Sequence, residues 1–349
     1  MRVLVIGGTR FIGPRVVHRL CDMGHEVAVF HRGVTEAGLP PRVQHLHGDR
    51  RELAAHADAF RTFAPQVVLD MTAFTELEAH ALVDTMRGLA SRLVVISSQD
   101  VYRAYGVFHR SEEGPVDPLP AKEDSPLREK LYPYRGDGRG LDDYEKILVE
   151  RAVTDVPGLP ATVLRLPMVY GEGDYQHRLL FELQRMDDGR PAILLEERFA
   201  RWRWTRGYVE NIAAAIALAV TDARATGRVY NLGDPNALAY ADWVRVIGRN
   251  AGWSRELLLL PSGLLPEKAR PLAANYEQHL VADTGRIRVE LGQREPVARD
   301  EALVRTIAWE REHRPRDVGT LLDYAAEDAA LAALRSGGQG QAGASALLP

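Results

Sequence analysis

The sequence predicts an α/β protein: a doubly wound parallel sheet followed by a smaller mixed α/β lobe. Three observations point to it. The apolar runs at residues 3–6, 27–30, 67–69 and 93–96 have the length of buried strands and alternate with helix-like segments. Glycines follow the first run at once, and the apolar spacing then turns helical at Ile12, Val16, Val17 and Leu20. Parallel strands need crossover connections, and those connections place helices on both faces of the sheet. With 349 residues, 46% of them apolar, the chain is long enough for a large sheet domain and a lobe without disulfide or metal staples.

Each element has its local reason. Gly24 punctuates the first helix before the second strand, and strand-like 161–166 carries the sheet past residue 160 into Pro167-Met168-Val169-Tyr170-Gly171. A helical pattern over 142–153 precedes that strand, while helical 211–220 and strand-like 229–232 belong to a mixed region running to about residue 314. Residues 1–170 are therefore expected to form the sheet domain, continued by later segments, and 171–335 mainly the lobe. The glycine-rich stretch 336–349 is expected to be a disordered tail, because it offers little to offset its ordering entropy.

Composition narrows the function. Lys and Arg number 44 against 48 Asp and Glu, a net charge of −4 that gives no global attraction to phosphate backbones or anionic membranes. Cys21 is the only cysteine, so an intrachain disulfide is excluded and a reducing cytoplasm is expected. No leader-like segment opens the chain and no apolar stretch nears ~18 residues, so neither secretion nor membrane spanning is expected. The 11 histidines lack a His-x-x-x-His spacing, and no metal is expected.

The loop Gly7-Gly8-Thr9-Arg10-Phe11-Ile12-Gly13 joins the first strand to the first helix, where backbone N–H groups and a helix N-terminus can hold a pyrophosphate. Gly7 permits the tight turn, and Gly13 lets the helix approach the sheet. With this loop in place, the chain resembles the extended short-chain dehydrogenase/reductase family, the NAD(P)-dependent epimerases and dehydratases, over about residues 1–312. Ser97-Ser98-Gln99-Asp100-Val101-Tyr102, Leu164-Arg165-Leu166-Pro167-Met168-Val169-Tyr170-Gly171 and Tyr230-Asn231-Leu232-Gly233 carry the resemblance further. It implies a Rossmann-like fold, a cofactor in the N-terminal half, a substrate in the cleft against the lobe, and a homodimer built on helices near 79–89 and 142–153. It also places Asp49 on the adenine amine, Thr72 and Ala73 along the cofactor, and Pro167 and Met168 beside the nicotinamide. Arg10 stands where the family has a glycine, which looks like the atypical branch that includes the chloroplast stem-loop-binding proteins. His31 and Arg32 end the second strand, where an NAD-preferring fold carries a carboxylate. Arg10 and Arg32 suit a ribose 2′-phosphate instead, so NADP is preferred over NAD.

The family's reactive trio is a serine or threonine and a Tyr-x-x-x-Lys pair that shares one helix face. The resemblance assigns Ser98 and Lys146, whose ammonium could also hold the nicotinamide ribose hydroxyls, but Asp142 stands four residues before the lysine and Tyr144 only two. Either the helix starts late and leaves Tyr144 on an irregular turn, or the usual acid/base is absent. Asp142 and Lys146 would otherwise form an i,i+4 ion pair. Tyr102, Tyr132, Tyr134 and Tyr170 are candidate substitutes, and the insert 131–140 reads as an active-site flap whose aromatic and cationic side chains could grip an anionic substrate. On the substrate side, His177 and Arg206 are candidates, the latter from the run Arg201-Trp202-Arg203-Trp204-Thr205-Arg206. An extended run would place both tryptophans on one face. Two functions remain open: an oxidoreductase or epimerase acting on a hydroxyl-bearing nucleotide-sugar or phosphorylated small molecule, and a dinucleotide-sensing or RNA-binding protein of the same fold with altered catalysis.

Overall fold

The computed structural model describes residues 1–35, 38–316 and 318–337. Its strands are β1 (Arg2–Ile6), β2 (Glu26–His31), β3 (Gln44–His47), β4 (Val67–Asp70), β5 (Arg92–Ser98), β6 (Ala161–Leu166), β7 (Met168–Tyr170), β8 (Ala192–Glu196), β9 (Arg206–Tyr208), β10 (Val229–Asn231) and β11 (Glu256–Leu260). Its helices are α1 (Ile12–Asp22), α2 (Ala57–Phe63), α3 (Glu76–Met86), α4 (Arg103–Phe108), α5 (Lys146–Val153) and α6 (Leu180–Asp187). They continue with α7 (Glu197–Arg201), α8 (Val209–Thr221), α9 (Tyr240–Ala251), α10 (Gly285–Leu291), α11 (Arg299–Glu312) and α12 (Tyr324–Gly337).

Seven strands form one sheet in the order β10-β6-β5-β4-β1-β2-β3, and every pairing in it is parallel. Period-two alternation divides the strand side chains between two apolar layers. Val3, Val5, Val27 and Val29 pack toward α1 and α8, while Leu4, Ile6, Ala28 and Phe30 face the layer of α2, α3 and α5. Burial on both faces is why these strands read as unbroken apolar runs. The chain beyond residue 171 serves both parts of the molecule: α8 and β10 return to the sheet, while β8 pairs with β11 and β7 with β9 in separate two-stranded sheets.

Three expectations about elements need correction. The helix expected over 142–153 begins only at Lys146. Glu145 is extended there (φ −156°, ψ 99°), and its carboxylate caps the helix by accepting from the Ile147 amide. The run 201–206 is not one strand: Arg201 ends α7 and Arg206 opens β9. Ser336 and Gly337, placed in the expected tail, are the last residues of α12, and 338–349 lie outside the described residues. Among the described residues no helix is long and apolar enough to cross a membrane.

Candidate active site

The glycine loop is shaped by close approach. Gly7 and Gly8 sit at φ +87° and +80°, and a Cβ on Gly7 would stand 2.6 Å from Thr72 Cγ2. A Cβ on Gly13 would fall 2.3 Å from Gly8 Cα, so α1 can pack this close to the loop only with glycine there. Phe11 holds φ 46° directly before α1, and in the helix's first turn the Gly13 amide is turned back onto the Arg10 carbonyl while Pro14 brings no N–H. Thr72 and Ala73 follow β4 on the opposite side of the loop. The glycines thus close the loop onto Thr72 and α1 onto the loop, the tight strand-to-helix turn at which Rossmann folds hold a dinucleotide pyrophosphate.

The C-terminal end of β2, expected to face the adenosine ribose, carries cations but is partly committed. Arg10 and Arg32 are exposed, and Arg10 Nε reaches Thr35 Oγ1 at 3.4 Å. Asp49 is held well below the usual carboxylate range by hydrogen bonds from Arg51. His31 Nε2 lies 2.8 Å from His45 Nδ1, so the ring is engaged within the sheet edge. Arg50, which sequence reasoning passed over, makes a two-pronged pair with buried Asp70 at 3.1 and 3.0 Å and also donates to Thr72 Oγ1. That pair fixes the end of β4 beneath the loop.

Beside the glycine loop, at the C-terminal ends of β5 and β6, lies a cavity of about 430 Å³ whose walls include Ser98, Asp100, Tyr134, Tyr144, Pro167 and Met168. Its floor is a phenol and carboxylate cluster. Tyr144 and Tyr134 each donate to Asp100 Oδ2 at 2.9 Å, and the Tyr105 and Tyr134 hydroxyls lie 3.0 Å apart. Asp100 Oδ1 is buried without a partner among the described residues. Burial pushes the Asp100 carboxyl above its ordinary range, against the opposing pull of Arg128. Burial, with Asp100 adding to it, also drives the Tyr144 phenol well up, while the neighbouring Ser98 hydroxyl pulls it down.

The late start of α5 builds this arrangement. Tyr144 lies on the turn before the helix, with its amide bonded to the Leu141 carbonyl, so its ring escapes the helical geometry that would turn it away from Lys146. Its ring centroid lies 5.8 Å from Lys146 Nζ. Lys146 is buried and donates to the Ala73 carbonyl at 2.5 Å and the Ile96 carbonyl at 2.8 Å. Burial lowers its ammonium to about 8. Arg128 and Glu145, both fully buried, pair at 3.0 Å, and Arg128 also holds the Asp100 carbonyl. Glu145 accepts from the Tyr132 amide as well, which ties the base of the flap to the helix cap.

Several candidates lie elsewhere. Asp142 is exposed and accepts from the Gly136 amide within the flap, so the i,i+4 pair with Lys146 does not form. Tyr102 touches the cavity, but its hydroxyl is taken up by Asn231 at 2.7 Å and Arg165 at 2.9 Å. Tyr170 is buried against Tyr208 and Trp243 in the core. His177 pairs with Glu310 and stacks on Trp309. Arg206 is buried over the Trp243 ring, its guanidinium lowered to about 10 by burial. Asp100 and Tyr105 were not singled out from the sequence as site residues. Asp100 had one signal, a carboxylate two residues after Ser98, but its phenol partners lie 34 and 44 residues away.

The glycine turn and the parallel strand order are joined by a comparison of sequences. A family described as the NAD dependent epimerase/dehydratase family matches residues 3–233. The chain belongs to this family. The 2′-dehydrokanamycin reductase of Streptomyces kanamyceticus is 28% identical over 249 residues, which is 69% of this chain and 64% of that protein. The chloroplast stem-loop binding protein of 41 kDa b of Arabidopsis thaliana is 21% identical over 265 residues, 72% of this chain and 64% of that protein. The matched part thus spans less than two thirds of either relative. In structure, the UDP-glucose 4-epimerase of Thermus thermophilus, solved with NAD, superposes with a TM-score of 0.63 at 23% identity, covering 89% of this chain and 99% of that one. That likeness shows the fold.

Proposed function

We propose that this chain is an NAD(P)-dependent oxidoreductase or epimerase-type enzyme acting at a hydroxyl-bearing carbon of a sugar-like small molecule, with Tyr144 and Asp100 moving the proton. The observation that carries the reading is the Tyr144 hydroxyl donating to Asp100 Oδ2 at 2.9 Å on the wall of the cavity. A phenol with its proton already aimed at a buried carboxylate can pass that proton on while receiving another. The kinship with a reductase of 2′-dehydrokanamycin supports a carbonyl or carbinol on a sugar ring as the reacting group.

Gly7, Thr9, Phe11, Ile12, Gly13, Thr72 and Ala73 would hold the dinucleotide, with Pro167 and Met168 at its nicotinamide end. Arg10 and Arg32 favour the 2′-phosphorylated form, because no carboxylate ends β2. A bound dinucleotide supplies the hydride donor or acceptor. The chain's own residues manage the proton. When the substrate is an alcohol, its hydroxyl proton passes to Tyr144 Oη as the phenol proton moves to Asp100 Oδ2; when the substrate is a carbonyl, both transfers reverse. Ser98 positions the substrate oxygen, and Lys146 holds Ala73 and Ile96 in register behind the phenol. Arg139 and Arg178 also line the cavity, each already paired with a carboxylate, Asp137 and Asp174. The RNA-binding alternative drew on the displaced tyrosine, the Arg10 loop and the cationic and aromatic run 201–206. Trp202 is buried and stacked on Phe108, which removes it as a platform for bases and favours the catalytic reading.

The test is NADPH oxidation against a panel of keto-sugars and aminoglycoside ketones. Tyr144→Phe and Asp100→Asn should each lower kcat by about 10²–10⁴-fold with little change in KM. Full activity in Tyr144→Phe would overturn the assignment.

A further inference from the structure

The free edge of the central sheet gathers three imidazoles. His45 and His47 alternate along β3 and so share one face, and His31 lies directly opposite His47 in the β2–β3 register. One ring nitrogen from each lies within 4.8 Å of the other two. The His31 ring meets His45 and His47 at 69° and 71°, so the rings converge by their edges instead of stacking. The nitrogen spacing, not ring stacking, is what brings the three donors together.

We propose that His31, His45 and His47 bind a divalent transition-metal ion of the zinc, nickel or copper class. Imidazole nitrogen is a borderline donor that these ions favour, whereas magnesium and calcium seek oxygen donors, which the trio lacks. Metal–nitrogen bonds of about 2.0–2.1 Å bring tetrahedral ligand atoms to roughly 3.3 Å apart. His31 Nε2 and His45 Nδ1 are already 2.8 Å apart, and the exposed rings of His45 and His47 are free to adjust. The ion replaces the proton that those two nitrogens share. The cost is the 3.2 Å bond from the Gly33 amide to His31 Nδ1, since a neutral ring bound through Nε2 carries its proton on Nδ1. Remaining coordination positions face solvent. None of this depends on the catalytic reading, because the trio sits on β2 and β3, apart from the cavity of Ser98 and Tyr144.

The experiment uses the full, untagged chain after dialysis against a chelator. Zinc chloride titration by calorimetry should give one ion per chain, and cobalt(II) should develop the visible absorption of a low-coordinate nitrogen site. Loss of outer-shell partners alone changes metal affinity by about 10–100-fold, so His45→Ala/His47→Ala should weaken binding by at least ~100-fold. His18→Ala, on neighbouring α1, should leave it intact. Absence of stoichiometric binding, or binding that survives the double substitution, would overturn the proposal. A dinucleotide titration of the same variants reports separately on fold and cofactor affinity.

Discussion

Lys146 shows how one buried residue couples function to pH. Its ammonium sits near 8 in the folded chain against an ordinary 10.5, because burial penalises the charged form. Between those values the unfolded chain binds the proton and the folded chain does not, so stability rises with pH across that window. Below about 8 both states are protonated, and the folded state bears the full cost of a buried cation. In Lys146→Met the rise should vanish; urea denaturation of both proteins at pH 7.5 and 9.5 checks it. The same ionisation should appear in catalysis as a loss of kcat/KM above pH 8, and Lys146→Arg, which keeps its charge, should move that limb upward. An unchanged profile in the arginine variant would separate Lys146 from turnover. At this scale the sequence was partly legible. Ser98 and Lys146 stand at motif positions and Tyr144 two residues out of its own, but Asp100 acquires its meaning only from phenols brought in by the flap and by the turn before α5.

At the scale of elements, the informative feature is where α5 begins. Helical periodicity over 142–153 was a fair reading of the pattern, yet a side chain decides the boundary. Glu145 is drawn into the Arg128 pair and caps the helix, and Asp142 is left to the flap. Glu145→Ala would strand a fully buried guanidinium and uncap α5, at a cost of about 3–5 kcal/mol. Asp142→Ala, at an exposed position before the helix, should stay within about 0.5 kcal/mol. Thermal melts of the two variants test this directly, and a large loss in Asp142→Ala would contradict the observed helix start. Strands declared themselves by composition because both faces of the sheet are buried. β3 did not: Gln44, His45 and His47 are exposed on an edge, and no apolar run marks them.

For the whole molecule, the question is what holds the last helix, α12, to the rest of the lobe. Apolar contact supplies part of the answer, since Leu331 of α12 packs on Leu194 of β8 and Leu260 of β11. The other part is ionic. Arg185 on α6 and Glu327 on α12 pair at 2.6 Å, both nearly fully buried, and the guanidinium also lies over the Phe181 ring at 3.8 Å. A buried pair adds little over a well-packed apolar substitute, but removing one partner leaves the other charge without compensation. Glu327→Ala should therefore cost about 3–5 kcal/mol in urea denaturation. Asp328→Ala next to it breaks an exposed contact with Arg190 and should cost no more than about 1 kcal/mol. Because α12 does not line the cavity, dinucleotide affinity of folded Glu327→Ala should match that of the parent chain. A parallel loss of affinity would mean that α12 tethers the cofactor cleft as well as the segments behind it.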